Sequence, residues 1–164
     1  VNTEPYGTTI FCDDIRNEVN GKLTLIGCYS GDMNFTNPGP ATLPTFSALV
    51  NIRIPKTTIF RSLKLHVIKE EGDQKQDILT ADLDPDEEDL RRIISEAEKQ
   101  DKDGTMISLT LPCRWSPLPI SESGFIKVRA YLDGEKEIRL GALKVNFPKA
   151  DQDIDQGSES SAGT

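Results

Sequence analysis

The sequence has little of what usually announces chemistry. Of its 164 residues one is histidine, one is tryptophan and three are cysteine. Cys12, Cys28 and Cys113 form no CxxC pair, and an odd, sparse set makes neither a disulfide framework nor a zinc site. Cys12 and Cys28 lie in apolar strand contexts, where free cysteine acts as a small core hydrophobe, so all three are expected reduced. A Cys12–Cys28 bridge would require their strands to face each other across a sandwich. The patterns GxxxxGK[ST], GxGxxG and GxSxG are absent, which leaves no phosphate cradle, dinucleotide site or nucleophile elbow. The only histidine, His66, alternates with Leu63, Leu65 and Val67, so it should face outward from its strand. Pairing it with Cys113 as nucleophile has no support beyond the presence of both. The chain is therefore expected not to be an enzyme and to need no cofactor.

No run approaches the length of a membrane span, and no charged-then-apolar leader opens the chain. It begins with Val, as removal of an initiator Met or a trimmed leader would leave it. A soluble protein is expected. Nineteen basic residues against 27 acidic ones give a net charge of −8. Such a field repels phosphate backbones, and no basic stripe with interleaved aromatics offsets it, so nucleic-acid binding is disfavoured. The length suits one domain, placed at residues 1–148, which buries roughly two-thirds of its unfolded surface. From 149 to 164 the composition turns acidic and poor in apolar residues, as in a flexible tail.

What is present is strand pattern. In GFIKVRAYLDGEKEIRLGALKVNF (124–147), Ile126, Val128, Ala130 and Leu132 alternate with Phe125, Lys127, Arg129 and Tyr131, the period of a strand with one buried face. A two-residue Asp133-Gly134 turn would set Val128 opposite Arg139. A three-residue loop ending at Gly134 sets Val128 opposite Ile138 and Ile126 opposite Leu140, so a type I turn with a bulge at Gly134 is expected. The apolar phase then slips to Leu143, Val145 and Phe147, which calls for a second bulge near Gly141-Ala142. Asn20-Gly21 marks a hairpin between strands at Tyr6–Cys12 and Lys22–Tyr29, with Gly27 at a bulge or close approach. Further strands are expected at Thr45–Ile54, Arg61–Ile68, Ile78–Leu83 and Thr105–Leu111. Pro112, Pro117 and Pro119 impose an extended segment around Trp115.

One helix, about 84–100, interrupts this pattern. Asp84 as N-cap, Pro85 and Glu87 form its start, and Leu90, Ile93, Ile94 and Ala97 make one apolar stripe. Seven or eight short strands around a single inserted helix fit a mainly β fold, an immunoglobulin-like or C2-like antiparallel β-sandwich.

Two groups of residues are candidates for binding. Trp115, Phe125 and Tyr131, if they cluster, make an apolar patch for a protein partner; if the helix covers them, they are a second core. Asp13, Asp14 and Asp32 from early loops and Asp101, Asp103 and Asp133 from later ones supply the oxygens that Ca²⁺ would need in a C2-like site. Asp151, Asp153 and Asp155 have EF-hand-like spacing, but Gln156 stands where the glycine belongs and no Glu follows at position 12.

The opening FCDDIR (11–16) followed by EVNGKLTLIGCY (18–29) resembles the start of a family of small bacterial and phage proteins known as a domain of unknown function. The likeness covers the first thirty or so residues; the closing hairpin resembles theirs more loosely, and the middle does not match. It implies a bacterial or bacteriophage source and a β-rich domain, and carries no catalytic residues or substrate. The expected function is a non-catalytic binding or assembly module, either a decorating component of a virion or a cytoplasmic adaptor, with a calcium-dependent C2-like module as the alternative. Its expected location is the bacterial cytoplasm or the virion, and its partners are a protein or further copies of itself.

Overall fold

Alternating apolar residues over most of the chain produce strands that bury one side each. The computed structural model describes residues 4–84, 86, 88, 89, 91, 92, 95 and 106–149. In chain order the strands are β1 Tyr6–Asn17, β2 Leu23–Cys28, β3 Asp32–Asn34, β4 Ala41–Leu43, β5 Phe46–Pro55, β6 Leu63–Glu71, β7 Gln74–Asp82, β8 Met106–Trp115, β9 Leu118–Ile120, β10 Gly124–Leu132 and β11 Lys136–Asn146. They form one sheet of order β2-β1-β5-β8, here sheet A, and a second of order β3-β11-β10-β6-β7, sheet B. A short β4-β9 ribbon makes a third pairing. The fold is a mainly β sandwich. Among the described strands all pairings are antiparallel except β11 with β3, which is parallel.

The core lies between the two sheets. Sheet A supplies Phe11, Phe46, Ala48, Val50, Ile52 and Ile54, and sheet B supplies Leu63, Leu65, Val67 and the apolar faces of β10 and β11. Phe46 is fully buried and stacks on Phe11 with ring centroids 6.1 Å apart. Lys69 continues the inward register of Leu63, Leu65 and Val67 and is itself buried. Its Nζ donates to the Pro119 carbonyl at 2.9 Å and pairs with Glu71 at 3.2 Å. Glu71 in turn accepts the Ser121 N–H at 2.7 Å, so this charged pair fastens the β4-β9 ribbon to the sandwich.

The closing hairpin buries the expected residues with a different register. Ala130, not Val128, stands opposite Ile138, and Ile126 stands opposite Leu143. The loop between Leu132 and Lys136 is Asp133-Gly134-Glu135, one residue later than expected. Asp133 and Gly134 both have positive φ, 50° and 74°, and Glu135 N–H donates to Leu132 O. A type I turn excludes those angles; they belong to a mirror-image turn. The tip is held from outside the hairpin: Asp133 N–H donates to Ser62 O, and its carboxylate accepts the N–H groups of Arg61 and Ser62 at 2.8 and 2.9 Å. The second bulge is real: Val128 pairs with Gly141 and Arg129 with Arg139, leaving Leu140 as the extra residue. Arg129 Nη1 fills the irregularity by donating to Val128 O and Gly141 O.

The β1–β2 hairpin forms at Asn20-Gly21 as expected, with both residues at positive φ. Gly27 also has positive φ, and a side chain there would collide with the Asp13 carboxylate. Strand β8 runs on through Pro112 to Trp115, which an edge strand permits because one row of its N–H groups needs no partner. In the connection after β7, Glu88, Asp89, Arg91, Arg92 and Ser95 are helical. Asp86, rather than Asp84, accepts a capping N–H, that of Asp89 at 2.7 Å. The Asp84 carboxylate, two residues before Asp86, instead accepts Leu63 N–H at 3.3 Å. The stripe residues Leu90, Ile93, Ile94 and Ala97 lie outside the described residues, as does the expected tail from residue 150 onward.

Candidate functional site: the two outer faces

Each sheet has an outward face, and strand register fixes what stands on it. On sheet B the outward positions of β6 and β10 are Lys64, His66, Ile68 and Glu70 against Tyr131, Arg129, Lys127 and Phe125. Nearly every charge there has an opposite neighbour. Lys64 pairs with Asp82 at 3.3 Å, His66 Nδ1 with Asp77 at 3.2 Å, and Lys75 with Glu70 at 3.1 Å. Lys127 also contacts Glu70, and Glu137 lies between Arg129 at 3.8 Å and Arg139 at 3.1 Å. The Lys127 ammonium holds the Glu70 carboxyl below its ordinary range, and Arg139 does the same for Glu137. Burial raises the Tyr131 phenol, helped by its 3.1 Å hydrogen bond to Glu137.

Sheet A presents the opposite chemistry. Directly opposed across β1, β5 and β8 are Thr8–Asn51–Thr110, Ile10–Leu49–Pro112 and Cys12–Ser47–Arg114. These rows point away from the core, because the alternate row Phe11–Ala48–Cys113 points into it. The two central rows carry no charge. Ile10 is 39 % exposed, while Tyr6 and Thr8 are also exposed beside it. Thr110 Oγ1 donates to Asn51 Oδ1 at 2.9 Å, which satisfies both side chains within the face. At one end of the face Cys12, Ile15 and Leu49 form a second small core with Leu25 against it. Arg114 closes that end by donating to Ile15 O and pairing with Asp14 at 3.6 Å.

The edge strand β2 lies beside the Cys12–Asn17 half of β1, next to Asp14 and Arg16, and is itself uncharged. Its six residues, LTLIGC, include no charged side chain, and Leu23 is exposed while Leu25 and Ile26 are half-buried. Val19, 80 % exposed, tops the β1–β2 turn. The edge strand β7 of sheet B, by contrast, contains Lys75, Asp77 and Asp82 and carries a bulge. Charges and bulges are the usual protection of an open sheet edge.

The aromatic candidates do not come together. Trp115 is half-buried against the core, its ring centroid 5.6 Å from that of Phe46. Its Nε1 donates to the carbonyl of Ile78, the residue left unpaired by the bulge in β7, so it ties the edges of the two sheets. Phe125 and Tyr131 share the outer face of sheet B, but Lys127 and Arg129 stand between them on β10. The Lys127 ammonium lies 5.3 Å from the Phe125 ring centre, and Tyr131 meets His66 edge-on at 5.4 Å.

The candidate metal ligands are likewise dispersed. Asp13 accepts the Tyr29 hydroxyl at 2.6 Å, and Asp14 is engaged by Ile15 N–H, Arg16 and Arg114. Asp32 stands opposite Lys144 on β11. Asp133 lies at the other end of that strand, roughly 25 Å away at 3.3 Å per residue, and is occupied by Arg61 and Ser62 N–H groups. Those two donors hold its carboxyl below the ordinary range. Asp101, Asp103, Asp151, Asp153 and Asp155 are outside the described residues. Among the described residues no three His, Cys, Asp or Glu side chains form a metal-sized group, and no described helix is long and apolar enough to cross a membrane.

His66 faces outward from sheet B, while Cys113 is buried in the core from sheet A, so sheet B lies between them. Cys12 and Cys28 are not across the sandwich from each other. They stand directly opposed on neighbouring strands of one sheet, Cys12 buried and Cys28 exposed, both as free thiols. Burial pushes the Cys12 thiol up to about 11, with the Cys28 thiol and the Asp13 and Asp14 carboxylates adding to the shift. Burial and the hydrogen bond to Asp13 also raise the Tyr29 phenol.

Comparison with known proteins finds no matching family model, no curated relative and no matching solved structure. The candidate site therefore stands on its own geometry. Sequence reasoning missed the uncharged face because it is made from three strands far apart in the chain. The available signal was the lack of charge at alternate positions: Thr8 and Ile10, Leu49 and Asn51, Thr110 and Pro112.

Proposed function

We propose that the protein is a non-catalytic binding or assembly module whose contact surface is the outer face of sheet A together with its edge strand β2. The observation that supports this reading is the contrast in charge. In a chain where 28 % of residues are charged, the two central rows of this face and all of β2 carry none. Interface centres are depleted of charge, and an uncharged edge strand offers backbone donors and acceptors to a strand of a partner. Exposed Ile10 and Tyr6 supply apolar area, and Thr8, Asn51 and Thr110 supply hydrogen bonding.

In its more specific form the reading places the protein in bacteria or phage, as the resemblance of its opening segment implies. A virion component attached many times to a lattice and a cytoplasmic adaptor use the same surface, and differ in what they bind. A calcium-dependent module is the less favoured reading, because Asp13, Asp14 and Asp133 are already engaged by protein donors.

The test is a tagged capture from bacterial lysate with and without induced phage, read by mass spectrometry, using the wild type, Ile10→Arg and Lys64→Ala. A partner recovered by the wild type and by Lys64→Ala but lost with Ile10→Arg supports sheet A as the contact surface. Capsid or tail proteins in that position identify a virion component, and a single host protein identifies an adaptor. Equal recovery by all three proteins would overturn the assignment of the face.

A further inference from the structure

We infer that Cys28 and Cys12 are a redox pair that closes into a disulfide across β1 and β2 on meeting a low-molecular-weight disulfide such as oxidised glutathione. This goes beyond the binding role and does not depend on it.

The register carries the argument. Cys12 and Cys28 are direct partners on adjacent antiparallel strands. Such partners have Cα atoms roughly 4.5–5.5 Å apart and side chains on the same side of the sheet. A disulfide spans Cα separations of roughly 4.4–6.8 Å, so the bond requires rotation of the side chains and little backbone movement. The two thiols also differ in access. Cys28 is exposed on an edge strand, whereas Cys12 is buried beneath it. Cys113 cannot compete: it lies two strands from Cys12 and faces the opposite side of sheet A.

The step balances as two exchanges. The Cys28 thiolate attacks the small disulfide RSSR, forming a mixed disulfide on Cys28 and releasing one RS⁻. The Cys12 thiolate then attacks Cys28 Sγ and expels the second RS⁻. The two protein thiols are oxidised, RSSR is reduced, and the two thiol protons end on the departing RSH molecules. The raised pKa of Cys12 slows the second exchange at neutral pH. Its rate should therefore rise roughly tenfold per pH unit between about pH 7 and 9, in step with the thiolate fraction.

The experiment treats the reduced full chain with oxidised glutathione, alkylates it in denaturant with N-ethylmaleimide and measures intact mass. The wild type should lose about 2 Da, the two thiol hydrogens, and keep one alkylatable thiol, Cys113. Cys113→Ala should still close. Cys28→Ser, an exposed and isosteric change, should show no mass loss and keep both remaining thiols. Cys12→Ala should arrest with glutathione on Cys28. Three alkylated thiols in the wild type, a glutathione adduct on Cys28 that never resolves, or a bond linking two chains would each overturn the inference.

Discussion

The two outer faces of this sandwich rest on one core and solve the problem of being outside in opposite ways. On sheet B, cross-strand pairs such as Lys64–Asp82, Lys75–Glu70 and Glu137–Arg129 cover the surface with matched charge. On sheet A, the central rows of Thr8, Asn51 and Thr110 and of Ile10, Leu49 and Pro112 carry no charge, Arg53 and the Asp14–Arg114 pair stand at the two ends, and the edge strand β2 is uncharged. Matched ion pairs on a strand ladder add little stability each, but they repel unsuitable partners and keep the face in water. A face without them gives up that protection. Such a loss is expected where a surface is to be covered.

The first way to break the comparison is at what the faces share. Phe46→Ala should cost about 3–5 kcal/mol, since it empties a fully buried site touched by Phe11, Tyr29 and Trp115. Urea unfolding would measure this, and a loss below about 1 kcal/mol would show that the sheets do not depend on a common core.

The next separates the sides by pH. The Cys12 thiol has its ordinary value of 9.0 when unfolded and about 11 when folded. Its contribution is thus fully present below pH 9 and is lost as the pH rises toward 11. It amounts to at most about 3 kcal/mol. Cys12→Ala should flatten the fall in unfolding free energy across that window; an unchanged slope would place the alkaline loss on Tyr29 and Tyr131 alone. On sheet B the direction reverses. Lys127 and Lys75 lower the Glu70 carboxyl, so its contribution is present above the ordinary value of 4.5 and is lost as the pH falls through the folded value. Glu70→Gln should cost about 1 kcal/mol at neutral pH and little in acid. A cost that persists at about pH 3 would mean packing, not charge, is what Glu70 supplies.

Much of this architecture was legible in single strands. The alternation in β6, β10 and β11 identified the buried residues correctly, because a half-buried strand writes its inside and outside in period two. What one strand cannot show is its neighbour. The Ile138 partner was misassigned because Val128 and Ala130 have the same facing, so parity admitted either; the docking of Asp133 on Arg61 and Ser62 accompanies the register actually adopted. Helix capping was displaced from Asp84 to Asp86 by a tertiary contact with Leu63 that local pattern does not contain. The candidate surface was the least legible part. Aromatic content drew attention to Trp115, Phe125 and Tyr131, whereas the distinctive feature of sheet A is a lack of charge spread over β1, β5 and β8.

The smallest expected effect on stability belongs to the change most relevant to function. Ile10→Arg replaces a part-exposed side chain and should alter the unfolding free energy by about 0.5 kcal/mol or less. Its effect on binding is the central test. The affinity of the captured partner should be measured by calorimetry for the wild type, Ile10→Arg and Lys64→Ala. The proposed contact surface predicts at least about a tenfold rise in Kd, equal to about 1.4 kcal/mol, for Ile10→Arg, with Lys64→Ala close to the wild type. A partner that tolerates Ile10→Arg and is lost with Lys64→Ala would place the working face on sheet B and contradict the account.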